Sequence, residues 1–446
     1  MTSKAYVITD LGPGDGGKGG VVEAISAKVH PHTIIKEGGA QGSHGVVLAH
    51  GRKFCFSQWG CGTFQGVPTY LSPRFVMFPI GLLNEASALR EQFGISNAFD
   101  LLSVSPDCVC ASPYHQTWSQ LYELSLRDHP HGTVGTGVGK AYQQSQSDPD
   151  FTLFARDLTD ISRIRLRMSQ QREFVLSKYG ALRDDDVLEA DIPLLRRSLA
   201  GLNNDAAFER IVESTYEVGR LLCLEDYRSV LRNNDGCVVI ERSHGVLTDS
   251  ECGFKPHVSS LRTLPQFSLR ALRAAGFTGK IVNLGVHRAY EIRHGAGPMP
   301  TACDLALDTL LPDSHKSTNR WQGSVRAGAL DEVLLKYAID LCNEAPTHLD
   351  GLCITWFDQI VKNGSWRVCP AYYIQRNLIR PGAKPDLKML DSAIPVLEEY
   401  DLASRVSDLD NRDKLFDFCR EVFATFTEIP VRLLSFGACK EDKYFR

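Results

Sequence analysis

One junction near the start of this chain limits what it can fold into. A short apolar run, Ala5–Thr9, leads into Asp10-Leu11-Gly12-Pro13-Gly14-Asp15-Gly16-Gly17-Lys18-Gly19-Gly20, and a helical-looking VVEAISAKV follows. A strand, a glycine-rich loop and a helix in that order make a phosphate site, because glycines let the backbone turn and aim its N–H groups at anionic oxygens. Gly12, Gly17 and Lys18 fit the opening of a P-loop, G-x-x-x-x-G-K, with Lys18 as a point charge and Gly14, Gly16 and Gly19 in the same cradle. Gly19 stands where the P-loop hydroxyl that ligates Mg²⁺ would be. Asp15 lies inside the loop, where an acid repels phosphate unless a metal or a proton transfer accounts for it. A glycine-rich turn with a surface Asp and Lys is the plainer alternative, and the order of the flanking elements weighs against it.

Further apolar runs, Cys237–Glu241, Lys280–Leu284 and Gly351–Thr355, read as buried strands that end in loops. Helical patterns lie between them. The clearest is Asp331–Cys342, with Val333, Leu334, Tyr337, Ala338 and Leu341 on one face and two acids in its first turn. Strands alternating with helices predict an α/β fold with a largely parallel central sheet and flanking helices. Ligands in such folds bind at the carboxyl ends of the strands. Residues 84–232 are richer in helical signals, such as Ile161–Lys178, and read as a helical insertion within a single domain spanning 1–446.

Composition narrows the class. The 446 residues carry 49 Lys plus Arg and 53 Asp plus Glu, a net charge of −4, which argues against a nucleic-acid partner. At 43% hydrophobic and 23% charged, the chain has the make-up of an ordinary globular protein. No apolar run approaches the roughly 18 residues of a membrane-spanning helix, and MTSKAYVITD lacks the apolar core of a signal peptide. The thirteen cysteines are scattered without a C-x-x-C pair, as expected of free thiols in a reducing cytoplasm.

The next segment carries a resemblance. Gly38-Gly39-Ala40-Gln41-Gly42-Ser43-His44-Gly45-Val46 is similar to the G-G-x-N-A-G-H-T-V segment of the adenylosuccinate synthetase superfamily, and GDGGKGG to its GDEGKGK. Thr133–Tyr142 resembles T-T-G-R-G-I-G-P-A-Y. Glu241–Gly245 through Asp249, Gly253, Pro256 and Ser260 resembles E-G-A-Q-G-x-L-L-D with its following G-x-x-P. Ala289-Tyr290 looks like the end of K-A-Y, Gly295–Thr301 like G-A-G-P-F-P-T, and Gly323–Asp331 like G-R-x-R-R-x-G-W-x-D. Thr355–Asp358 resembles T-K-L-D, and Pro430-Val431, Ser435 and Gly437 resemble V-P-V…S-x-G. The segments keep their order over nearly the whole chain.

The resemblance implies a P-loop-like adenylosuccinate synthetase fold and a two-step reaction. An aspartate removes the N1 proton of a purine, the purine O6 attacks the γ-phosphate of GTP, and an amine displaces the 6-phosphoryl group. Asp15 matches the base, and His44 matches the histidine that stabilises the phosphate oxygens. Mg²⁺ is implied, held by Asp15 and the backbone carbonyl of Ser43. Such roles make chemical sense, because an amide oxygen leaves poorly until phosphorylated and loss of the N1 proton makes it a nucleophile. Asp358, at the end of an expected strand, matches the guanine-reading acid, with Ser435 and Gly437 as further base contacts. GTP is the implied co-substrate, and a cytoplasmic homodimer with no membrane partner the implied assembly.

Departures from the family pattern cluster in the acceptor and donor pockets. Trp321, Gln322 and Ser324 stand at the two Thr and the central Arg of the aspartate-binding loop, which leaves Arg326 in register and Arg320 nearby. On the acceptor side Gln41 replaces an Asn, Val134 follows Thr133 in place of a second Thr, and His244 replaces the Gln that faces the purine. Thr263 still matches a phosphate-contacting Thr. Phe154, with Arg156 two positions on, aligns with an Arg that reaches across the dimer. Trp356 replaces the Lys of T-K-L-D and offers a ring to stack on the base. A GTP-dependent C–N ligase with an altered nucleotide-like acceptor, amine donor or both is expected. The alternatives are a housekeeping enzyme acting on IMP and aspartate, a GTP-binding regulator, and a kinase-like enzyme that stops at the phosphorylated product.

Overall fold

The computed structural model describes residues 3–232, 236–303 and 320–446. Two compact units emerge from it. One comprises Met1–Pro31, His44–Cys55 and Asp235–Arg446, and the other His32–Ser43 and Phe56–Asn234.

The first unit is organised by a sheet in the order Lys443–Phe445, Val431–Ser435, Gly351–Thr355, Lys280–Arg288, Lys4–Asp10, Cys237–Gly245. All neighbours run parallel except the Lys443–Phe445 edge, which is antiparallel to Val431–Ser435. Ala5 lies level with Ile281 on one side and Val238 on the other. Both faces are covered, so Gly351–Thr355 is buried throughout, as is Cys237–Ser243. Continuous apolar runs, not alternation, are what such strands require. Parallel pairing brings Asp10, Gly245, Arg288, Thr355 and Ser435 to the carboxyl ends of their strands, and the segments expected to bind ligand follow from there.

The helix Glu332–Cys342 is capped by Asp331, whose carboxylate accepts from the Leu334 N–H at 2.9 Å. Its burial differs from the single apolar face read from the sequence. Leu335, Ile339 and Cys342 are as buried as Val333 and Ala338, because a second small sheet, including Leu330–Asp331 and Ser365–Ile374, contributes to the same apolar core.

The second unit holds parallel strands in the order Thr33–Gly39, Thr69–Met77, Leu102–Val104, Cys223–Leu224. Its helices include Pro79–Phe93, Pro113–Ser125, Val138–Ser147, Ile161–Tyr179, Ile192–Leu202 and Asp205–Leu221. The stretch 84–232, read as an insertion, falls inside this unit, which also takes in two strands that precede it. Among the described residues no helix is long and apolar enough to cross a membrane, and all thirteen cysteines are free.

Candidate active site

The glycine-rich loop is built on a buried carboxylate. Asp10, the last residue of its strand, accepts from Gly12 N–H at 2.9 Å and Gly16 N–H at 2.8 Å, and from the Lys18 ammonium at 2.7 Å. Lys18 also donates to the His244 carbonyl at 3.0 Å. Two of the three ammonium protons are thus held by protein groups, Asp10 and the His244 carbonyl, so Lys18 is first a counter-ion to Asp10, a role the phosphate motif alone does not reveal. Asp10 and Lys18 are both buried, which makes each dependent on the other. The glycines are required sterically. A Cβ on Gly16 would lie 2.8 Å from Asp10 Oδ2. One on Gly19 would overlap the Gly45 carbonyl oxygen, so no P-loop hydroxyl fits there.

Asp15 projects from this loop with a left-handed backbone, φ 57°. Its carbonyl accepts from Arg288 Nε at 2.6 Å. Its Oδ2 lies 2.9 Å from His294 Nε2. The side chain keeps 48% of its surface exposed. Crowding by the loop opposes ionisation, but the hydrogen bond and charge of His294, with Arg288 and Lys18, outweigh it and hold the carboxyl below the usual range. An ionised oxygen donor of this kind suits a hard cation such as Mg²⁺.

His44 is buried, and its Nδ1 lies 2.6 Å from Oε1 of the fully buried Glu241. That contact fixes the orientation of the ring. His244, also left-handed at φ 65°, is pushed down to about 4, by burial first and then by Lys18 and His44. Its imidazole is neutral near pH 7, so it can offer one donor and one acceptor to a base edge but no charge. Thr263 is 4% exposed; its N–H donates to Asp249 Oδ2 at 2.6 Å, while its hydroxyl oxygen is buried with no hydrogen-bond partner among the described residues. An orphaned buried hydroxyl is costly unless a ligand completes it.

The strand Gly351–Thr355 stops before Asp358, which occupies the first turn of the helix Phe357–Asn363. This corrects the strand-end placement: Trp356 takes a left-handed turn, φ 61°, and starts a helix. The Asp358 carboxylate accepts from Gln359 and, at 3.3 Å, from Lys362, both through Oδ2. Ser435 Oγ donates to the Gly437 carbonyl at 2.9 Å, and Lys443 donates to the same carbonyl at 2.6 Å. Burial lowers the Lys443 ammonium, against the opposing charges of Asp442, Glu23 and Asp358.

Arg326 is turned inward. It donates to the carbonyls of Gly295 at 2.7 Å and Gly297 at 2.6 Å. Its strand partner Arg293 donates to Ala296 and Pro298 of the same turn. Burial lowers both guanidinium groups, Arg293 to about 10. Arg320 lies over the Trp321 ring, 5.7 Å from its centre.

Gln41, Ser43 and Thr133 belong to the second unit. Gln41 and Ser43 follow the strand Thr33–Gly39, where Gly42 N–H closes a turn on the Gly39 carbonyl. Thr133 Oγ1 accepts from Gly135 N–H at 3.3 Å, before Gly137 caps the helix Val138–Ser147. Arg156 lies over the Phe154 ring and pairs with Asp107.

A family model of adenylosuccinate synthetase matches residues 7–444. This chain belongs to the adenylosuccinate synthetase family. It is therefore a ligase of the class that forms C–N bonds with hydrolysis of GTP. An adenylosuccinate synthetase of Marinomonas sp. is 27% identical over 403 residues, 89% of this chain and 86% of that one. One of Borrelia duttonii is 24% identical over 99% of this chain and 98% of its own. Among solved structures, a fully ligated adenylosuccinate synthetase from Plasmodium falciparum aligns with a TM-score of 0.77 at 17% identity, over 99% of each chain. The succinoaminodeoxyadenylate synthetase of cyanophage S-2L, bound to dGMP and dATP as an energy donor, aligns at 0.61 and 14%, over 100% of this chain and 96% of that one. At these identities the structural likenesses speak for the fold alone.

Against the adenylosuccinate synthetase motifs, sequence reasoning missed Asp10, Glu241, Arg288, His294 and Lys443. Glu241 and Arg288 sit within or beside matched segments, so their positions were in view. Their partners are 197 and 273 residues away in the chain, and no spacing rule connects them.

Proposed function

We propose that this adenylosuccinate synthetase homologue uses GTP to phosphorylate the carbonyl oxygen of a purine-type lactam and then couples an amine, with an acceptor or donor other than the IMP and L-aspartate pair. In this reading Asp15 takes the lactam N–H proton, and the oxygen bonds to the γ-phosphorus as the bridging oxygen leaves with GDP. His44, held by Glu241, donates to the oxygens of the transferring group. Mg²⁺, held by the Asp15 carboxylate, would add positive charge there. Asp358, Ser435, Gly437 and Trp356 receive the guanine, and Thr263 and His244 contribute to the acceptor site.

The observation that carries the altered pocket is Arg326. The one guanidinium retained in the donor loop binds two backbone carbonyls, and Trp321, Gln322 and Ser324 offer no second cation. On the phosphate side, in contrast, Asp10 holds Gly12, Gly16 and Lys18, and Glu241 holds His44. Decay of an unused enzyme would reach both sides alike.

The test is phosphate release from Mg·GTP with a panel of purine lactam monophosphates, each with and without candidate amines. Release that requires both supports the ligase. Release with the lactam alone identifies a kinase-like enzyme, and binding of GTP without release in any pairing identifies a regulator. The names of the Marinomonas and Borrelia relatives favour one second reading, synthesis of adenylosuccinate itself.

A further inference from the structure

Arg288 joins two parts of the site that the family motifs treat separately. It ends the strand Lys280–Arg288, level with Thr355 on the neighbouring strand. Its Nε donates to the Asp15 carbonyl at 2.6 Å, and its Nη1 donates to the Tyr290 hydroxyl at 3.0 Å. Its guanidinium lies over the Trp356 ring, 4.3 Å from the ring centre. The side chain is only 5% exposed. One planar cation therefore touches two left-handed non-glycine residues, Asp15 in the phosphate loop and Trp356 at the head of the Asp358 helix. Beside them, Thr355 Oγ1 donates to the Gly16 carbonyl at 2.7 Å.

The residue types fit this geometry as a pair. The resembling motifs K-A-Y and T-K-L-D carry Lys where Arg288 and Trp356 stand. A guanidinium can lie flat on an indole and still donate in its own plane to two oxygens. An ammonium is a point donor and does neither at once.

We propose that Arg288 is a positioning residue that couples occupancy of the base site at Trp356 and Asp358 to the orientation of Asp15. This rests on the reading of those residues as the nucleotide-base site. A base that packs against Trp356 or bonds Asp358 fixes the indole. The indole fixes the guanidinium, and the guanidinium fixes the Asp15 carbonyl and thereby its carboxylate. Coupling of this kind is reciprocal, so the indole must also influence a ligand that has no base.

The experiment compares Mg·GTP with Mg·tripolyphosphate, which carries the phosphates alone. Affinities are measured by calorimetry for the wild type, Arg288→Lys, Trp356→Leu, the double variant and Trp356→Phe, each checked for fold by circular dichroism. Arg288→Lys and Trp356→Leu are each expected to weaken tripolyphosphate at least threefold. The double variant is expected to be no weaker than the worse single one, and Trp356→Phe to stay within twofold of wild type because it keeps a ring. The inference is overturned if Trp356→Leu weakens GTP but leaves tripolyphosphate within twofold, or if the two single effects multiply. If Arg288→Lys does not fold, the Leu and Phe variants decide alone. A wild type that binds neither ligand overturns the base-site reading itself, a result distinct from binding with independent effects.

Discussion

His44 acts on a phosphate only if its ring is aimed, and Glu241 aims it from 197 residues away through a 2.6 Å contact. Glu241→Gln keeps the size but loses the charge. It is expected to lower the rate of phosphate transfer from GTP at least tenfold with little change in nucleotide affinity. Single-turnover phosphate release checks this, and a near-native rate would contradict the role. Asp10 is tested by stability. Asp10→Asn leaves the buried Lys18 ammonium without its carboxylate and should cost about 3 kcal/mol, read from urea unfolding. A loss below about 1 kcal/mol would mean that the loop does not depend on the pair. Asp15 and His44 stand out in the sequence because each lies in a short matched motif. Glu241, Arg288 and His294 do not, because what defines them is a partner brought close only by folding. Arg326 was legible as a cation but not as one already bonded to Gly295 and Gly297.

Cys237–Glu241 and Gly351–Thr355 were legible as strands because they are nearly continuous apolar runs, whereas Thr33–Gly39, buried almost as fully, was not, because Lys36 and Glu37 interrupt its apolar run. The helix Glu332–Cys342 was legible in extent but not in burial, because periodicity cannot report a second sheet contributing to the same core. In the second unit, the helix Pro79–Phe93 is anchored by Glu85, which accepts from the N–H groups of Ser57, Gln58 and Trp59. Burial pushes the Glu85 carboxyl up to about 7, from an ordinary 4.5, despite those bonds. An acid raised on folding stabilises the protein fully below its unfolded value, and that contribution is lost as pH rises through the folded value. Stability should therefore fall by roughly 2 kcal/mol between pH 4.5 and 7 on this account. Glu85→Gln should show a correspondingly smaller fall. Urea unfolding of both proteins at pH 5 and pH 8 checks this, and equal falls would contradict it.

At the scale of the whole molecule, the order of the matched segments made the family legible. The division into two units was not, because the second unit begins at His32, leaves the chain at Ser43 and resumes at Phe56. Contiguous reading along a sequence cannot see such an exchange. The assembled nucleotide side leads to a global prediction. Mg·GTP should raise the melting temperature more than Mg·ATP at equal concentration, since Asp358 can accept two hydrogen bonds from guanine and none of that kind from adenine. Two such bonds suggest about 2–4 kcal/mol of discrimination. Equal shifts would remove Asp358 from base reading.

The proposed function requires a phosphate-transfer side that still works beside a changed donor pocket. Losing two charge-assisted bonds to the aspartate carboxylates, with Ser324 in place of the central Arg, would weaken aspartate binding at least about 100-fold. The direct measurement is a steady-state assay with Mg·GTP, IMP and millimolar L-aspartate, with the product identified by mass. Little or no adenylosuccinate is predicted, from protein that does transfer the GTP phosphate with another acceptor or amine. Rapid adenylosuccinate formation with a micromolar KM for aspartate would contradict it, and would show that Arg326 leaves Gly295 and Gly297 to bind the donor.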